Sequence, residues 1–70
     1  MKLTKPQLKF LRTVATERLD INEIAFRVGQ RPSTVSVIRN ALLERGLIED
    51  WVEYTEPVRI TAAGLRASKT

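Results

Sequence analysis

The feature that most constrains this chain is the short run Gly29-Gln30-Arg31, which stands between two stretches of helical periodicity. A glycine can end a helix in the left-handed region without strain, and the Pro32 that follows suits the first turn of the next one. A turn this short holds its two helices close to a right angle and leaves the second one projecting. Before the turn, Asp20-Ile21-Asn22-Glu23 places a side-chain acceptor three residues ahead of a glutamate, the pattern of a capping box. Ile24, Ala25 and Val28, joined by Ile21, then form an apolar stripe. That helix is only about eight residues long and needs tertiary packing to persist. Ala25 is small enough to let its neighbour approach.

After the turn the periodicity predicts a helix from Pro32 to Arg45, with Pro32 or Ser33 opening it and Gly46 stopping it. At about 100° per residue, Val35, Ile38 and Leu42 share one face. Ser33, Ser36, Val37, Asn40 and Glu44 share the opposite one, with Arg39 on the border.

Either side of this pair the sequence stays structured. Thr4-Lys5-Pro6-Gln7 reads as another capping box, and Leu3 and Leu8 stand where a hydrophobic staple would. Leu8, Leu11, Val14 and Ala15 follow at helical spacing with Phe10 on the flank, predicting an amphipathic helix to about Arg18. Beyond Gly46 the period changes. Leu47-Ile48, Trp51–Tyr54 and Val58–Thr61 are rich in β-formers and bracket a turn at Thr55-Glu56-Pro57, which predicts a hairpin. Thr61 then caps a last short helix through Arg66. The expected fold is mainly α with a small β-hairpin, a winged helix-turn-helix in one domain over residues 1–70. It comprises three helices, a two-stranded wing and a short C-terminal helix.

Composition removes several functions. The chain has 70 residues with neither cysteine nor histidine, so disulfides, thiolate or imidazole metal sites, a cysteine nucleophile and the usual general base are absent. We expect no enzyme, no metal and no cofactor. No apolar run nears the roughly 18 residues that cross a bilayer, and the N-terminus lacks a secretory core, so a soluble cytoplasmic protein is expected. The net charge is +4. Lys2, Lys5, Lys9, Arg12 and Arg18 face only Glu17 in the first 18 residues, whereas Glu49, Asp50, Glu53 and Glu56 outnumber Arg59 near the hairpin. A basic surplus suits a polyanionic partner.

The outer face of the third helix is unlike an ordinary solvated face, which lysine and glutamate would dominate. Ser33, Thr34, Ser36, Val37 and Asn40 are short, so the backbone can come close to another surface. Serine and threonine can bond phosphates or bases, asparagine can pair with adenine through two hydrogen bonds, and an exposed valine can meet a thymine methyl. Arg31 and Arg39 flank the patch within reach of phosphates. The bland alternative is that Ser33 and Thr34 merely cap the helix.

Asp20–Val28, Pro32-Ser33-Thr34-Val35-Ser36 and Ala41–Glu49 together resemble bacterial winged-helix transcription regulators, especially the MarR type. Val58-Arg59-Ile60-Thr61-Ala62-Ala63-Gly64 is similar to that family's second wing strand and the Thr-x-x-Gly start of its next helix. The resemblance spans roughly residues 5–66. It implies that the first half of the third helix reads the major groove through Ser33, Thr34, Ser36, Val37 and Asn40, with Arg59 as the wing's phosphate or minor-groove contact. Two departures stand out. The wing carries Glu53 and Glu56 where such wings are usually basic, and little follows Ala67 where the family has long dimerising helices. No small-molecule effector site is evident. The reading is a transcriptional regulator of double-stranded DNA, of the small kind that phages and mobile elements use, with a homodimer or protein partner for tight binding. The alternative is a protein-interaction module that uses the acidic wing with Trp51 and Tyr54 as anchors. Leu43, apolar but off the buried stripe, is a further candidate contact.

Overall fold

The computed structural model describes residues 2–49 and 56–69. Four helices follow in order among them: α1 (Lys5–Thr16), α2 (Ile21–Val28), α3 (Pro32–Glu44) and α4 (Ala62–Ser68). No described helix is long and apolar enough to cross a membrane.

Three of the four helices begin on a side-chain cap. The Thr4 hydroxyl accepts from the Gln7 N–H, and the Gln7 side chain accepts in return from the Thr4 N–H at 3.0 Å. Asp20 and Glu23 make the same reciprocal pair at the start of α2. Thr61 accepts from the Gly64 N–H at 3.1 Å to open α4. Each such cap is worth about 1 kcal/mol to the helix it starts. Gly29 ends α2 at φ 73°, and Gly46 follows α3 at φ 70°, so both glycines sit in the left-handed region their turns require.

The core gathers the apolar stripes. Ile21, Ile24, Ala25 and Val28 of α2 and Val35, Ile38 and Leu42 of α3 are buried, as their periodicity predicts. In α1 the outcome shifts. Phe10, expected on the flank, is fully buried with Leu11 and Val14, whereas Leu8 and Ala15 are only half-buried. The reason is that α1 packs against α2, α3 and α4 at once, so its buried arc is wider than one stripe. The helix also stops at Thr16, two residues before the expected Arg18, and Glu17 turns to extended geometry. The third helix ends at Glu44, with Arg45 as its C-cap.

Only the base of the predicted hairpin falls within the described residues. Among the described residues it consists of one antiparallel bridge, Ile48 opposite Ile60. The Glu49 N–H donates to the Arg59 carbonyl at 2.8 Å, and the Thr61 N–H to the Leu47 carbonyl at 3.1 Å. Asp50 to Thr55, which make up the rest of the expected hairpin's centre, lie outside the described residues. The returning segment is tied from its other side as well: the Val58 N–H donates to the Leu19 carbonyl, between α1 and α2, at 2.9 Å.

Three contacts fasten α4. Thr61 donates its hydroxyl to the Gly46 carbonyl at 2.8 Å, joining the entry of α4 to the exit of α3. Gly64 is pressed so close to that exit that a Cβ there would lie 2.0 Å from the Leu47 carbonyl oxygen. At the other end, Arg12 of α1 donates to the Ser68 carbonyl at 3.3 Å. A cation at a helix C-terminus opposes the negative end of its dipole. One of the basic charges on α1 is therefore engaged in holding α4.

Candidate nucleic-acid interface

The start of α3 differs from the other three. Its N-cap is Arg31, in extended geometry, and there is no side-chain capping bond. Pro32 occupies that turn and has no N–H to satisfy. Ser33 and Thr34 therefore do not cap the helix, contrary to the bland alternative, and both are exposed. Unbonded N–H groups at a helix start, beside an exposed arginine, form a positive end that favours anions.

Behind that entrance the outer face of α3 is laid out by its buried one. With Val35, Ile38 and Leu42 held in the core, Ser33, Val37 and Asn40 rise along the opposite side at i, i+4 and i+7. Val37 is 68% exposed although it is apolar. Ser36 and Arg39 are half-buried at the borders of this face. Arg39 is turned onto its neighbour: its Nε and Nη2 both donate to Asn40 Oδ1, at 3.1 and 2.8 Å. Arg31 stands exposed at the N-terminal end.

Arg59 goes elsewhere. It lines an open groove of about 390 Å³ with the end of α1 from Val14 to Arg18 and with Glu49, Val58, Ile60 and Leu65, and no α3 residue lines that groove. The structure thus sets Ser33, Thr34, Ser36, Val37, Arg39 and Asn40 along α3 with Arg31 at its N-cap, whereas Arg59 lines a groove to which α3 contributes no residue. Trp51 and Tyr54, the anchors of the alternative reading, and Glu53 of its acidic wing lie outside the described residues. Leu43 is half-buried and packs against the core.

Sequence reasoning passed over Phe26. Its ring is 87% exposed on α2, opposite the stripe of Ile24, Ala25 and Val28. The helical wheel does place it outward, and its apolar type there was the signal. Glu17 and Arg27 form a two-point ion pair that ties the end of α1 to α2, with Arg27 Nη2 donating to Glu17 Oε1 at 3.1 Å and Nη1 to Oε2. Both side chains are about half exposed, so the pair adds at most about 1 kcal/mol. No group of acidic residues among those described could hold a metal ion.

No family model matches the sequence, and no curated protein matches it. Solved structures do. The PcaV transcriptional regulator of Streptomyces coelicolor superposes over 97% of this chain with a TM-score of 0.87 at 29% identity. The fold is that of MarR-family transcriptional regulators. The multiple antibiotic-resistance repressor MarR of Listeria monocytogenes matches 96% of the chain at a TM-score of 0.85 and 19% identity. ZitR, a zinc-responsive MarR-family member of Lactococcus lactis, matches 99% at 0.86 and 23% identity. The chain spans about half the length of these MarR-type structures, between 48% and 52% of each.

Proposed function

We propose that this MarR-like domain binds double-stranded DNA as a sequence-reading transcriptional regulator in the cytoplasm, with α3 in the major groove. The observation that carries this reading is the outer face of α3. It is a run of short polar side chains and one exposed valine, leading from a helix start that no side chain caps and that an arginine flanks. Such a start accepts a phosphate, which sets the register of the helix on the duplex. The short side chains then bring the base edges within hydrogen-bond reach. Phosphate contacts supply most of the affinity, and Ser33, Thr34, Ser36, Val37 and Asn40 supply discrimination. Arg59, which lines a groove without α3 residues, serves as a further contact to the backbone. One helix of this size buries little surface, so a second copy of the domain or a protein partner is needed for nanomolar specific binding.

Fluorescence anisotropy with labelled duplex DNA at two salt concentrations tests the reading. Binding that weakens steeply as salt rises is expected, with nonspecific affinity near 10⁻⁴–10⁻⁶ M at physiological salt. On a selected site Asn40→Ala should cost about 1–3 kcal/mol of binding and leave the melting temperature unchanged. Absence of duplex binding at low salt would defeat the proposal.

A further inference from the structure

Resting on the DNA-binding reading above, we propose that Arg39 is a positioning residue that makes Asn40 a donor-only probe, so that the pair reads guanine and not adenine. The starting point is the fork of two hydrogen bonds, at 3.1 and 2.8 Å, from Arg39 Nε and Nη2 to Asn40 Oδ1. A guanidinium has only donors, so the atom it meets must be the amide oxygen, and the orientation of the amide follows from chemistry alone. An amide oxygen has two lone-pair sites, and the fork occupies both.

That arrangement changes what Asn40 can recognise. Reading adenine through two bonds requires Oδ1 to accept from the N6 amino group while Nδ2 donates to N7. With Oδ1 engaged, the amide offers its two Nδ2 N–H donors. Guanine presents two acceptors in the major groove, N7 and O6, which match two donors. Adenine sets an amino donor beside its N7, and cytosine offers only an amino donor. Arg39 is half-buried while Asn40 is exposed, so the arginine is held against the helix surface and the asparagine projects. Val37, one turn earlier and 68% exposed, supplies apolar contact for a thymine methyl in an adjacent step.

The experiment is selection of binding sites from a random duplex pool, followed by anisotropy titrations on single-base variants of the selected site. The wild type is compared with Asn40→Ala, Arg39→Ala and Arg39→Lys. The expected result is a guanine at the position that Asn40→Ala renders indifferent. Arg39→Ala should move the preference there toward adenine, changing the guanine-to-adenine affinity ratio by about two- to fivefold. Arg39→Lys should move it equally, because lysine keeps the charge and loses the fork. A wild-type preference for adenine, or a ratio unchanged in both Arg39 variants, overturns the proposal. A side-chain readout in the free protein separates this from failure of the DNA reading. The Asn40 amide resonances should shift in Arg39→Ala beyond the ordinary effect of a neighbouring substitution and do so again in Arg39→Lys. Wild type that selects no site defeats the DNA reading, and amide resonances that stay unmoved defeat the Arg39–Asn40 pair.

Discussion

The helices α2 and α3 flank one glycine turn and share one core, yet they begin in opposite ways. Asp20 and Glu23 close the first turn of α2 upon itself with reciprocal side-chain bonds. The first turn of α3 has no such pair: Arg31 is its cap residue and makes no side-chain capping bond. Their inner faces are alike, with Ile21 and Ile24 on one and Val35 and Leu42 on the other fully buried. Their outer faces are not. The contrast teaches that stability is placed in the stripes and in the α2 cap, whereas the start of α3 does without a side-chain cap.

The strongest way to break the comparison is to hit the shared half. Ile24→Ala and Leu42→Ala should each cost about 2–5 kcal/mol, measured by urea unfolding, because both side chains are fully enclosed. A clearly smaller loss at either position would show that the two stripes do not contribute equally to one core. Next comes the capped start. Asp20→Ala should lose about 1 kcal/mol of stability and leave duplex affinity as it was. If duplex binding fell with it, the start of α2 would also be part of the interface. The smallest expected change sharpens the contrast from the other side. Arg31→Ser offers α3 the cap it lacks, and should raise stability by about 0.5–1 kcal/mol. The same change should weaken duplex binding and reduce the slope of log affinity against log salt by about 1. Melting curves and salt titrations of one preparation check both.

Much of this was legible beforehand, and the legible parts share a cause. Thr4 with Gln7, Asp20 with Glu23, and Thr61 with Gly64 act across three residues, so composition and spacing reveal them. The stripes of α2 and α3 follow from periodicity for the same reason. Phe10 escaped because its burial depends on how many helices surround α1, which no wheel of α1 contains. Arg12 escaped more completely, since the carbonyl it meets belongs to Ser68, 56 positions away. The site was read in outline: the face of α3 is where the periodicity puts it. Its internal wiring was not, because neighbours at i and i+1 do not face each other on a helix, and only a long side chain curling back joins Arg39 to Asn40. Arg59 belongs to the same class, for the groove it lines depends on where the returning segment is tied to Leu19.

What the chain determines by itself is therefore local: where helices start and stop, which side of each is apolar, and that a tight turn makes α3 project. These follow from backbone geometry and from bonds that span one turn. Packing decided the rest. It required a glycine at position 64, where any Cβ would meet the Leu47 carbonyl. It also drew Phe10 inward, engaged Arg12 at the end of α4 and set Arg59 in a groove beside the end of α1. Each depends on the approach of segments distant in sequence, and that approach is settled only when every buried stripe must fit the same core at once.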